Sequence, residues 1–354
     1  METSPYGTTT DGQAVRLFTL INSSGIEVRL CEYGAIITSV KTPDCSGKFA
    51  NITLAKDSLE GWLENPEYLG ATVGRYGNRI SKGKFSIDGI DYELAKNNDP
   101  GGIPCHLHGG EKGFSHVLWN GQPVIRPQAS GVCFTYYSDA GEEGYPGNLT
   151  AKVTYWLTED NELIFEATAK TDAPTPINLI NHTYWNLSGK PTKTILDHVL
   201  KLNANQFLPT SAGLIPTGKK EAVKGTPMDF TEPIRIGERI KNNFEPLKIG
   251  NGYDHCWVLQ EKGSGDLITT AIVHDPKSGR ILEIKTDQPG VQFYSGNFLS
   301  RKHTGFCLET QAFPDSPNQP DFPNTILRPG ETYSHTCVFK FSTSSHYLPG
   351  LEGS

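Results

Sequence analysis

Two short segments put ionisable side chains where a β-strand normally keeps them out. In FCLETQ (306–311), two-residue alternation sends Phe306 and Leu308 to one face and Cys307, Glu309 and Gln311 to the other. A carboxylate beside Cys and Gln is a candidate for burial. Burial would lift its pKa from the usual value of about 4.3 toward that of a base working at neutral pH. The competing reading is a Glu on a wetted sheet face. In NLINHTYWNLSG (178–189), the polar Asn178, Asn181, His182 and Asn186 sit among Leu, Ile, Tyr and Trp. Alternation puts Asn178, His182 and Asn186 on one side and Asn181 and Thr183 on the other, so neither face is dry. Some of these groups must be buried, and each then needs a hydrogen-bond partner in the protein or in a ligand.

Four further segments carry polar groups at conspicuous places. HLHGG (106–110) puts His106 and His108 two residues apart on one strand face, before a Gly-Gly turn. Such a pair has metal-ligand spacing, yet no third ligand is near in sequence, and structural and substrate-binding readings stay open beside it. GRYGNRI (74–80) sets Arg75 and Arg79 among glycines. It is not a phosphate loop, because no G-K-[ST] follows, and the bland reading of such an arginine pair is surface charge. NGYDH (251–255) places Asp254 beside His255, in a form that also suits an Asx-type turn. TDQPGVQFYSGN (286–297) has a Pro-Gly turn preceded by Gln288.

The elements that must position these groups are strands. LFTLIN, IEVRLCEYG and AIITSVKT follow one another across short Gly-containing breaks; KFSID and IDYEL flank Gly89; LTAKVTYWLT meets ELIFEATAK across EDN. These are hairpin signals. HCWVLQ, ITTAIVHD, RILEIKTD, VQFYSGN and HTCVFKFS continue the pattern, which predicts a mostly antiparallel β protein. Helical candidates are short: SLEGWLEN and IRIGERIKN. No linker or repeat divides the chain, so residues 1–354 read as one large sandwich with its core over about 7–342.

A chain of 354 residues with 36% hydrophobic and 10% aromatic content can fill a large core. Its net charge of −7 and lack of a basic run argue against nucleic acid as a partner. No window approaches a membrane span, and the first residues lack a signal-peptide pattern. Seven widely spaced cysteines without a C-x-x-C pair suit reduced thiols, and the expected compartment is cytoplasmic.

Taken in order, NLINHTYWNLSG, GRYGNRISKGKF, HLHGGEKGF, NGYDHCWVL, TDQPGVQFYSGNFL, GFCLETQAFPDSPNQPDFP and LRPGETYSHT resemble the aldose 1-epimerase (galactose mutarotase) family over nearly the whole chain. The resemblance implies an all-β fold, a large antiparallel β-sandwich, and an isomerase that interconverts the α and β anomers of free hexoses such as D-galactose and D-glucose. It implies His182 as general acid and Glu309 as general base, approaching opposite edges of one hexose. Asn78, Arg79, His108, Asp254 and Gln288 match sugar-binding positions, and Tyr184 lines the same pocket, with Tyr184 or Trp185 covering an apolar sugar face. His106 matches no functional position and is read as structural. No cofactor or metal is required, the partner is a small-molecule aldose, and a monomer or weak homodimer is expected. On this reading the strand of residues 178–189 is polar because it faces a sugar. The alternatives are a non-catalytic carbohydrate-binding β-sandwich, a hexose-phosphate mutarotase relative, and a metal-dependent sugar isomerase or hydrolase built on His106 and His108.

Overall fold

The computed structural model describes residues 1–259 and 266–345. Alternating burial along nearly every long strand, such as Leu149–Thr158 and Arg280–Thr286, marks one dry and one wet face. The largest sheet has nine strands and is antiparallel throughout. At its centre Glu162–Thr171 pairs with Tyr333–Thr343, so the end of the chain closes onto its middle.

A five-stranded sheet carries the segments of chemical interest. Its order is Glu221–Ala222, Gln206–Phe207, Asp254–Val258, Gly290–Tyr294 and Cys307–Gln311. Its inner face contributes Phe207, Trp257, Val291, Phe293 and Leu308 to the same core that receives Phe134, Tyr155, Phe165, Leu282 and Phe339 from the nine-stranded sheet. Each such apolar side chain, fully buried, stabilises the fold by about 1.5–3 kcal/mol. This is the face-to-face antiparallel sandwich expected from the strand pattern. A further five-stranded sheet, from Glu2–Thr8 to Phe49–Asn51, comes from the first hairpins.

Two elements differ from expectation. SLEGWLEN does form a helix, Leu59–Leu63, but IRIGERIKN does not. There Ile236 and Gly237 donate their N–H groups to His198 and Leu196 carbonyls, so the segment is tied to a neighbouring strand before a helical turn can close. The helix forms a little later, at Glu245–Gly250, where Pro246 suits a first turn. Among the described residues no helix is long and apolar enough to cross a membrane.

The segment 178–189 is strand only over Ile180–His182, paired with Ala71–Val73. Its asparagines are structural. Asn178 donates to the Gly77 carbonyl at 3.0 Å and accepts from the Ala312 N–H at 3.0 Å. Asn186 donates to the carbonyls of Lys193 and Thr304, and Asn181 donates to the Tyr155 hydroxyl. The polarity of this stretch therefore serves mainly to satisfy irregular backbone in the interior, and a sugar-facing strand explains only part of it.

Candidate active site

The outer face of the five-stranded sheet floors a cleft of about 760 Å³. Register does most of the positioning. Gln292 lies opposite Glu309 on one side and Cys256 on the other, while Tyr294 lies between Asp254 and Cys307. Because Val291, Phe293 and Leu308 point into the core, period-two alternation turns Gln292, Tyr294 and Glu309 toward the cleft.

Facing Glu309 across the cleft wall is His182, the last residue of its short strand. Their Nε2 and Oε2 atoms are 3.7 Å apart, with the two side chains 6% and 4% exposed. The pair is side by side, and the expectation that it grips opposite edges of a ring is corrected. On the other ring nitrogen, His182 Nδ1 meets the Cys307 thiol at 3.7 Å. Burial drives His182 down to about 4 and Glu309 well above the ordinary carboxylate value, with Asp254 adding to the second effect and Arg79 opposing it. Their proximity opposes both shifts, since the imidazolium and carboxylate forms attract. Both shifts favour the neutral imidazole and the carboxylic acid, against the attraction of the ion pair.

Around that pair the polar groups form a connected set. Asp254 accepts from Gln292 Nε2 at 2.7 Å and lies 3.9 Å from the Arg79 guanidinium, which also donates from Nε to Asn98 at 3.2 Å. Asn78 lines the cleft and donates its amide side chain to Gln311 at 3.3 Å. Glu309 Oε2, Gln292 Oε1 and Gln311 Nε2 have no hydrogen-bond partner within the protein. Buried polar atoms left in this way are valence available to a ligand.

His108 enters the cleft through a break in its strand, and this overturns the shared face proposed for His106 and His108. The strand Cys105–Leu107 ends one residue earlier, and His108 takes a left-handed φ of 51°. The turn is held open by Gly109, where a Cβ would overlap the Gly74 carbonyl. His106 points away from the cleft, to the Ala95 carbonyl at 2.7 Å and the Tyr145 hydroxyl at 2.6 Å, and is structural. His108 Nδ1 accepts the Asn78 N–H at 3.0 Å, so in the neutral ring the proton sits on Nε2. Burial keeps this ring neutral, its pKa lying well below 6.5.

That tautomer bears on metal binding. His108, His182 and Glu309 offer donor atoms within 4.8 Å of one another. Coordination through His108 Nε2 would require its proton to move to Nδ1, facing an amide N–H. The set does not fit a metal.

Several assignments change. Gln288 is outside the cleft: its amide donates to Asp287 at 2.8 Å and to the Ser334 carbonyl at 3.4 Å. The strand begins only at Gly290, and Gln292, the other glutamine of the same segment, faces the cleft. Its position between the inward Val291 and Phe293 was the available signal. Trp185 packs on Phe339 and Phe341 in the core, whereas Tyr184 lines the cleft beside His182. Arg75 is 1% exposed and donates to the Pro146 and Gly147 carbonyls at 2.8 and 2.9 Å, so it is no surface charge. Tyr68 had escaped notice. Held at a φ of 59°, its ring lies 4.8 Å from His108 and 5.9 Å from His182 and covers both imidazoles. Only the turn residues around it hinted at an unusual backbone.

Comparison with known proteins agrees with this geometry. The profile of the family described as aldose 1-epimerase matches residues 16–340. The chain is 43% identical to galactose mutarotase of Homo sapiens over 344 residues, covering 94% of this chain and 96% of that protein. It is 36% identical to aldose 1-epimerase of Escherichia coli (strain K12) over 343 residues, again covering 94% and 96%. Among solved structures, galactose 1-epimerase from Lactobacillus acidophilus NCFM superposes with a TM-score of 0.84 at 27% identity, over 97% of this chain and 98% of the other.

Proposed function

The chain belongs to the aldose 1-epimerase family, and from that premise we propose that it interconverts the α and β anomers of free hexoses such as D-galactose and D-glucose, with Glu309 and His182 moving the protons. The observation that carries the residue assignment is the 3.7 Å separation of two buried, oppositely perturbed groups in one cleft.

Anomerisation opens and recloses a hemiacetal. Ring opening starts from the ion-pair form, with the proton on His182 and Glu309 ionised, a form that burial of the two groups disfavours and their 3.7 Å proximity favours. Glu309 takes the proton from O1; C1–O1 becomes a carbonyl as the C1–O5 bond breaks; and O5 takes the proton from His182. The open aldehyde is then matched by neutral His182 and protonated Glu309. Rotation about C1–C2 presents the other carbonyl face, and closure reverses each transfer. O1 and O5 are bonded to the same carbon, so an acid and a base less than 4 Å apart reach both at once. The same two groups serve opening and reclosure, because each returns in closure the proton it took or gave in opening, and each is worth about 10²- to 10⁴-fold in rate.

The remaining groups hold the ring. Arg79 and Asp254 offer charge-assisted hydrogen bonds to hydroxyls, Gln292 and Asn78 add neutral ones, and neutral His108 donates from Nε2. Tyr184 supplies an apolar wall. Arg79 is the only lysine or arginine among the described residues lining the cleft, and it already faces Asp254, which favours free sugars over hexose phosphates. All these groups come from one chain, in keeping with a single catalytic unit acting as a monomer or weak homodimer. Seven free cysteines suit a reducing cytoplasm.

The test is the change in optical rotation of freshly dissolved α-D-galactose. Glu309→Gln and His182→Asn should each nearly abolish the acceleration while circular dichroism stays unchanged. A folded variant with wild-type rates would remove that residue from the mechanism.

A further inference from the structure

The strand that carries Arg79 is too short to hold itself. Arg79–Ser81 pairs with Cys105–Leu107 over three residues, in a sheet of two strands. A two-stranded ladder is marginal even when longer than this. Yet Arg79 has to keep its guanidinium at a fixed place in the cleft, 3.9 Å from Asp254, with its side chain 11% exposed. Support has to come from the other edge of the strand.

That edge is occupied by Asp315. Its backbone N–H donates to the Arg79 carbonyl at 2.8 Å, and its Oδ1 accepts the Ser81 N–H at 2.8 Å. One residue thus supplies a donor and an acceptor in the places where a third strand would offer them. It does so from a left-handed backbone, with φ at 60°, a conformation that Asp tolerates better than most residues. Asp315 is 1% exposed, and neutral side chains hold its carboxylate: Asn318 Nδ2 donates to Oδ1 at 2.7 Å and Gln319 Nε2 to Oδ2 at 3.0 Å. A buried carboxylate is costly unless its oxygens are satisfied. Here the satisfying bonds also orient it against residues 79–81.

The same run of chain carries the base. Glu309 lies on Cys307–Gln311, and the backbone continues through Ala312 and Phe313 to Asp315. On the way the Phe313 carbonyl accepts from the Tyr76 hydroxyl at 3.0 Å, and the Ser316 N–H donates to that hydroxyl at 3.2 Å. Residues 309–316 therefore hold the proton-transfer group at one end and the mount of the sugar-holding arginine at the other.

We propose that Asp315 is a positioning residue for sugar binding, which acts from outside the cleft by fixing the strand that presents Arg79. This rests on the mutarotase reading, in which Arg79 grips a sugar hydroxyl. Without the clasp Arg79 loses its fixed place and the grip weakens, while Glu309 and His182 keep theirs.

Steady-state polarimetry and calorimetric titration with D-galactose, on the intact chain, test this. Asp315→Ala should raise KM and Kd about tenfold and leave kcat within about twofold, as expected for loosening a hydrogen bond from a charged group. Asp315→Asn should keep both constants within about threefold of wild type, because an amide oxygen still accepts the Ser81 N–H. In an Arg79→Ala background, Asp315→Ala should add less than about twofold, because a residue acting through Arg79 then has nothing to position. Should Asp315→Ala fail to fold, Gln319→Ala, which removes one donor from the carboxylate, should raise KM about threefold, and only while Arg79 is present. A wild-type KM in whichever of these two variants folds would overturn the proposal. So would a rise in KM that persists without Arg79, or a fall in kcat as large as the rise in KM. A wild type that binds D-galactose without anomerising it would remove the mutarotase reading, and the Kd series would still decide the role of Asp315. A wild type that neither binds nor anomerises it would remove both.

Discussion

The protein contains two buried histidine–carboxylate pairs of nearly the same dimensions. His182 and Glu309 stand 3.7 Å apart; His198 and Asp275 stand 3.9 Å apart, with exposures of 1% and 2%. Burial lowers both imidazoles to about 4. A perturbed pKa therefore does not distinguish them. Each pair also keeps one buried atom without a hydrogen-bond partner, His198 Nδ1 and Glu309 Oε2, so what distinguishes them is whether the pair lines a cleft. His198 Nε2 accepts the Leu187 N–H at 3.0 Å, and Asp275 accepts the Ser278 N–H at 3.1 Å, so that pair fastens a turn to a strand end. Glu309 Oε2 has no partner within the protein and opens onto the cleft. Chemistry is possible where a perturbed pair is also left short of hydrogen bonds in a space a substrate can enter.

The largest effect that would test this contrast is on turnover. Glu309→Gln should lower kcat by about 10²- to 10⁴-fold, whereas Asp275→Ala should leave kcat within a small factor and cost about 1–3 kcal/mol of stability, read from urea unfolding. Loss of turnover in the second variant would erase the distinction.

Acid should treat the two pairs alike. His106, His182, His198 and His255 all have folded pKa values near 4, below the ordinary 6.5. The unfolded chain thus binds more protons below pH 6.5. Stability is fully present above that value and is lost as pH falls toward about 4, where the folded groups also titrate. Glu309 and Asp315, raised in the fold, act with the opposite sign but are outnumbered by the lowered imidazoles, which also include His108, His116, His274 and His335. Melting temperature should fall steeply across this window, and His182→Asn and His198→Asn should each flatten the slope, although only the first abolishes activity. Equal slopes in wild type and both variants would show that these imidazoles do not govern acid stability.

A smaller effect checks the register of the site strand. Gln292→Ala should raise KM for D-galactose about tenfold, as expected for losing a hydrogen bond linked to the charged Asp254, while Gln288→Ala should leave it unchanged; the reverse result would return the role to Gln288. Smallest is Cys307→Ser, which keeps a polar atom against His182 Nδ1. It should change kcat about threefold or less, while moving the acid limb of the pH–rate profile, because a hydroxyl is a stronger partner for the ring than a thiol. An unmoved acid limb would make the thiol mere packing.

Much of this molecule follows from short-range pattern. The hairpins were legible because side chains alternate with a period of two, and Glu309 could be placed on the face opposite Leu308 for the same reason. Other features depended on where strands stop and on which distant segment satisfies a polar group. Gln288 and Gln292 occupy the same alternation phase, but only the second lies beyond the Pro-Gly turn and inside the sheet. His106 and His108 separate because the strand ends at Leu107 and the next residue adopts positive φ. The asparagines of residues 178–189 serve carbonyls and amides as far away as Ala312, and the acid and base lie side by side because strands more than 120 residues apart in sequence pack edge to edge. The sequence by itself determined the strands, the core and the kinds of group that could move protons, because those follow from local periodicity and residue chemistry. Which of those groups keep an unsatisfied atom facing the cleft was decided only by tertiary structure, because hydrogen-bond satisfaction is settled by partners from remote parts of the chain.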